Sequence, residues 1–120
     1  MKNFQIGQRA TTTRSFTAND LREYRALSGA MTDDTIPGPL LGGIFSFLLG
    51  TELPGRGTNY LKQKLAFLTP ARVGETITAT VEITRLRPDK DLVNLRTVCT
   101  NARGEIVCEG EALVLVKDVK

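Results

Sequence analysis

This 120-residue chain has few side chains equipped for chemistry, and there is no histidine at any position. That absence excludes serine or cysteine triads that need an imidazole base, and it removes the commonest metal ligand at the same time. Cys99 and Cys108 on strands beside carboxylates make a poor zinc set, so both are expected as free buried thiols. Asp33 and Asp34 offer a carboxylate that could activate water; the plain alternative is a solvated loop whose acids favour the positive end of the following helix. Ser46 offers a hydroxyl, and the plain reading is a small polar residue tucked into a helix. The remaining candidate is a main-chain group. A helix starting at Gly38 would present free amides carrying partial positive charge, able to hold a carbonyl oxygen or an anion. An ordinary helix start is the simpler account of the same glycine.

The element that must position that amide is the stretch from Pro37 to Gly50, which contains no charged side chain. Its apolar residues, Leu40, Leu41, Ile44, Phe45, Phe47, Leu48 and Leu49, point in nearly every direction around a helix axis. Such a helix is expected to be buried on all sides. It is too short to cross a bilayer, which needs roughly 20 apolar residues, so protein must cover it. Pro37 and Pro39 push their predecessors toward extended geometry, and Pro39 suits the first helical position.

Strands are expected to supply the cover. Residues 4 to 16 are rich in threonine and suit an edge strand. Thr17 and Asp20 form a capping-box signature for an amphipathic surface helix carrying Leu21, Tyr24 and Leu27, ended by Ser28-Gly29. Ala30 to Ile36 is a short polar connection. After the Leu53-to-Gly57 turn, the period becomes two, with Leu61, Gln63, Leu65 and Phe67 on one face and Tyr60, Lys62, Lys64 and Ala66 on the other. Ile77, Ala79, Val81 and Ile83 alternate with polar residues, and after a turn at Pro88-Asp89-Lys90 so do Val93, Leu95, Thr97 and Cys99. Asn101 to Gly104 reads as a hairpin turn before a last strand from Ile106 to Val116, where Gly110 suggests a bulge or a close approach to the helix. The pattern predicts a single α+β domain over residues 1–120, an antiparallel sheet wrapped around a central helix. A sheet this small cannot surround the helix alone, so edge pairing with a second copy is expected.

Net charge is +3, with basic residues spread along the chain and no aromatic platform, which argues against a nucleic-acid partner. With no apolar N-terminal run and no spanning segment, a cytoplasmic location without membrane association is expected.

Several motifs together resemble the MaoC-like, (R)-specific enoyl-CoA hydratase family. They are Phe16-Thr17-x-x-Asp20-Leu21-x-x-Tyr24-x-x-Leu27-Ser28-Gly29, Gly38-x-Leu40-Leu41, Leu53-Pro54-Gly55-x-Gly57-Thr58-x-Tyr60-Leu61-x-Gln63-x-Leu65-x-Phe67, and Pro70-x-x-Val73-Gly74-Glu75. The resemblance covers nearly the whole chain. It implies the hot-dog fold, a dimer, and acyl thioesters of coenzyme A or acyl carrier protein as ligands, with no separate cofactor and no metal. It also implies that the Gly38 amide polarises the thioester carbonyl and that Ser46 matches a helix serine lining the pocket. The chain departs from the family where the chemistry lies. There, Ser-Gly is followed by Asp, then Asn-Pro and a His, the pair that activates water; here Ala30 follows Gly29. The family's His-Gly at the helix start is Pro37-Gly38, and the segment between the two motifs is shorter.

Three readings follow. The first is an acyl-CoA or acyl-ACP binding protein of the hydratase/dehydratase lineage with weak or no hydration, as a homodimer or the silent half of a heterodimer with a catalytic relative. The second is a hot-dog thioesterase in which Asp33 or Asp34 activates water. The third is a non-catalytic structural or regulatory dimer, favoured if the shortened segment leaves the pocket closed. Under the first reading Arg56, Lys62, Lys64, Arg85, Arg87 and Lys90 are candidates for the phosphates of coenzyme A, against the plainer reading of a solvated strand face.

Overall fold

The computed structural model describes residues 4–22 and 35–119. Strands β1 (Arg9–Arg14), β2 (Asn59–Phe67), β3 (Ile77–Arg87), β4 (Leu92–Thr100) and β5 (Ile106–Leu115) form one sheet, with helix α1 (Gly38–Thr51) between β1 and β2 in sequence. The strand order is β1-β3-β4-β5-β2, and every pairing is antiparallel. This is the hot-dog arrangement expected from the sequence.

The inner face of the sheet follows the alternation. Ile77, Ala79, Val81 and Ile83 on β3 are fully buried, as are Val93, Leu95, Thr97 and Cys99 on β4. They meet Leu41, Ile44, Phe45, Leu48 and Leu49 of α1 in one core. Each such apolar side chain contributes about 1.5–3 kcal/mol by leaving water. The outer face carries a row in which charge alternates across all five strands: Arg9 pairs with Glu82, Glu82 with Arg96, Arg96 with Glu111, and Glu111 with Lys64. Opposite charges directly across paired strands reinforce register. Lys64 thus has a place in the sheet's own electrostatics.

Local chemistry fixes the ends. Thr17 and Asp20 form the reciprocal capping box, Asp20 N–H donating to the Thr17 hydroxyl at 3.1 Å and Thr17 N–H to the Asp20 carboxylate at 2.7 Å. A helix runs through 18–22 from that cap; Tyr24, Leu27, Ser28, Gly29, Ala30, Asp33 and Asp34 lie outside the described residues. The hairpin joining β4 to β5 turns on Asn101, whose side-chain oxygen accepts from Arg103 and Glu105 N–H, with Gly104 at a φ of 79°.

Four expectations are corrected. Helix α1 is not sheathed all round: Gly43, Ser46 and Phe47 are exposed, because the sheet of one chain covers one side of the helix. Pro39 occupies the second helical position, after Gly38, with Pro37 as N-cap. On β2 the predicted phase holds from Gln63 onward but breaks earlier, where a bulge between Tyr60 and Lys62 leaves Leu61 exposed and turns Tyr60 toward the core. Gly110 does make a close approach, but to β2: a Cβ there would fall on the Lys64 carbonyl.

Gly110→Ala should therefore lower unfolding stability by roughly 1–3 kcal/mol through overpacking. Gly43→Ala, where nothing lies within 4 Å of the new methyl, should raise it by about 0.5–1 kcal/mol. Urea denaturation of both variants checks the pair.

Candidate functional site

Two flanking prolines leave the tip of α1 with one donor unpaired among the described residues. Pro37, at φ −62° and ψ 146°, approaches the helix in extended geometry and lets its carbonyl accept from Leu40 N–H at 3.1 Å and Leu41 N–H at 3.4 Å. Pro39 has no N–H. Gly38 N–H remains, and it has no hydrogen-bond partner among the described residues. No acidic residue stands in the first turn of the helix itself.

Gly38 lines a cavity of about 670 Å³. Its other walls come from Pro37 and Leu41 on the helix side and from Phe67, Leu68 and Val107 on the sheet side. The segment before the helix is tied to the segment after β2 by Ile36 N–H donating to the Ala71 carbonyl at 2.7 Å and by a bridge between Thr35 and Arg72. Beyond β2 the chain folds over β5, Leu68 N–H donating to Val107 at 2.9 Å. Phe67 closes the near wall, the tip of its ring 2.9 Å from the position a Cβ on Gly38 would take. A side chain at position 38 would have to displace that ring.

Among the described residues the lining contains no ionisable group, and its side-chain polar atoms are the hydroxyls of Thr35 and Thr69. Such a site can orient a neutral acyl group and polarise a carbonyl through the amide. No described lining side chain can carry a proton to or from a carbon atom at neutral pH.

Of the residues singled out in the sequence, Pro37 and Gly38 are brought together at this cavity. Ser46 lies two turns along the helix, exposed and outside the lining, its hydroxyl donating to the Gly42 carbonyl at 3.4 Å. Asp33 and Asp34 lie outside the described residues. Cys99 and Cys108 stand directly opposite each other on β4 and β5, free and fully buried. Their shared hydrogen bond and burial push the Cys99 thiol up, away from the nucleophilic thiolate. The sequence pattern placed Phe67 on one face of β2 and did not reveal its place in this wall. Phe67-Leu68 breaks the alternation just before Thr69-Pro70, and both residues line the cavity.

The chain matches no protein-family model. It is 52% identical over 79 residues to an (R)-specific enoyl-CoA hydratase of Rhodospirillum rubrum, a match spanning 66% of this chain and 54% of that protein. It is 35% identical to the (R)-specific enoyl-CoA hydratase of Aeromonas caviae, covering 94% of this chain and 96% of the relative. That alignment runs over 128 positions, more than the 120 residues present here, so the relative has residues with no counterpart in this chain. The solved structure of the A. caviae (R)-hydratase superposes with a TM-score of 0.91, covering 96% of this chain and 98% of that one. A MaoC-like dehydratase of R. rubrum, 18% identical, shares the fold at a TM-score of 0.80. The protein is thus a hot-dog domain whose helix tip lines an apolar cleft. It belongs to the MaoC-like, (R)-specific enoyl-CoA hydratase family.

Tyr60 lies apart from this cavity and carries its own signature. Its hydroxyl is buried without a partner among the described residues, and burial pushes its pKa from 10.0 up to about 12. The folded state prefers the neutral phenol, so its contribution to stability is complete below pH 10 and is lost as pH rises through about 12. Tyr60→Phe should leave stability at neutral pH unchanged or raise it by about 1 kcal/mol, since the orphaned hydroxyl is removed. Its stability should also fall less steeply above pH 10 than that of the parent, read by chemical denaturation across that range.

Proposed function

We propose that the protein binds acyl thioesters of coenzyme A or acyl carrier protein, with the Gly38 amide receiving the thioester carbonyl, and that it hydrates enoyl thioesters weakly or not at all. The observation that carries this reading is the Gly38 amide, unpaired among the described residues, at an open cavity whose described lining is uncharged. Relatives named (R)-specific enoyl-CoA hydratase support the ligand class. The chain's lack of histidine, and a described lining without any proton-carrying side chain, support the loss of hydration. Losing a general acid or base costs about 10²–10⁴-fold in rate, while a retained oxyanion donor still favours binding. The open cavity speaks against a purely structural role.

We also place the protein in a two-chain assembly joined along β2. This strand pairs with β5 on one side and with no described strand on the other, and Leu61 beside it and Phe47 on α1 are about half exposed. An unpaired edge flanked by large apolar side chains favours pairing with another chain.

Butanoyl-CoA at 100 times its dissociation constant should add about 2.7 kcal/mol to unfolding stability. Crotonyl-CoA should bind likewise, yet show hydration at least about 10²-fold slower than in a histidine-bearing relative. Rapid hydration would overturn the reading, and so would thiol release lost in Asp33→Ala or Asp34→Ala, which would move the protein to the thioesterases. Sedimentation at micromolar concentration should give twice the chain mass, and Leu61→Asp with Phe47→Asp should shift it toward one chain. A single-chain mass for the parent would contradict the assembly.

A further inference from the structure

The cavity is roomy overall, about 670 Å³, but it is narrow at one point. The Phe67 ring approaches Gly38 with its tip: Cζ, Cε1 and Cε2 lie 2.9, 3.3 and 3.5 Å from the site of a Cβ on residue 38. The narrow point therefore sits beside the amide, while the rest of the lining leaves space. Selection among acyl groups by total size would need a small cavity. Selection by shape near the carbonyl needs only an obstacle next to the donor that holds it.

A carbonyl oxygen hydrogen-bonded to Gly38 N–H at the usual N···O distance of about 2.9 Å places its carbon, and the first acyl carbon beyond, within reach of that ring tip. A straight chain presents two hydrogens there. A branched chain presents a methyl, which must overlap the ring or pull the carbonyl off the amide. We propose that Phe67 is a specificity-determining residue that excludes thioesters branched at the carbon adjacent to the carbonyl. This rests on the thioester reading above and adds the class of acyl group accepted. Phe67 suits the role because it ends an edge strand: β5 fixes its backbone on one side, and its side chain is about half exposed, held by the cleft and not by the core. That exposure also means the ring can be cut back without opening the core.

The test uses butanoyl-CoA and its isomer 2-methylpropanoyl-CoA, which have the same atoms and differ only in branching, with dissociation constants from calorimetry on the parent, Phe67→Ala and Phe67→Leu. The parent should prefer the straight isomer by about tenfold or more, within the range one misplaced methyl group produces, and Phe67→Ala should shrink the preference to about threefold or less by gaining on the branched isomer. Phe67→Leu keeps an apolar side chain at the position and decides the matter if the alanine variant melts abnormally; it should fall between the two. Equal affinity of the parent for both isomers would overturn the assignment, as would a parental preference retained in both variants. Failure of the folded parent to bind butanoyl-CoA would instead overturn the thioester reading, and this assignment with it.

Discussion

The structure turns on a single main-chain N–H. A helix always begins with donors that its own carbonyls cannot reach. Here the Leu40 and Leu41 amides are taken by the Pro37 carbonyl, Pro39 has none to offer, and Gly38 is left facing the cleft. In an open cavity water can take that donor, so a carbonyl replacing it gains the net worth of one hydrogen bond, about 0.5–1.5 kcal/mol. Glycine also leaves the Phe67 ring its place, since a Cβ there would press on the ring's tip. The donor and the wall beside it are therefore set by one residue choice.

The remainder of the domain holds that tip still. The inner rows of β3 and β4 anchor α1 through Leu41, Phe45 and Leu48, and the Ile36-to-Ala71 hydrogen bond fixes the approach to the helix against the chain leaving β2. The alternating charges from Arg9 to Lys64 discourage slippage of the sheet, because a one-residue shift would set each of them against the wrong neighbour. A rigid frame matters more in a site that works by orientation than in one that also moves protons, because placement is then its whole contribution.

Much of this was legible in the sequence, for physical reasons that differ by element. The strands β3 and β4 alternate cleanly because one face is wholly buried, and the Thr17–Asp20 cap is a local motif with both partners three residues apart. The helix start was legible because prolines constrain their own neighbours. What was not legible depends on distant partners. The bulge at Tyr60–Lys62 is set by pairing with Val114 and Leu113, and nothing within β2 announces it. The apolar circumference of α1 implied complete cover, yet Phe47 and Ser46 face outward in a single chain. Gly110 signalled a close approach but not to what, because the Lys64 carbonyl it accommodates lies on another strand. The place of Phe67 beside the helix tip was not legible because its neighbour there, Gly38, is far away in sequence.

The most direct measurement is the carbonyl stretch of butanoyl-CoA labelled with carbon-13 at the thioester carbon, recorded by difference infrared spectroscopy on the parent and on Gly38→Pro. Proline removes the amide hydrogen, and since it also adds a Cβ beside the Phe67 ring, Gly38→Ala, which adds the same Cβ and keeps the N–H, serves as the steric control. The account predicts a lower carbonyl frequency in the parent and alanine complexes than in the proline complex, because only proline cannot donate a hydrogen bond from residue 38. The same frequency in the alanine and proline complexes would contradict it.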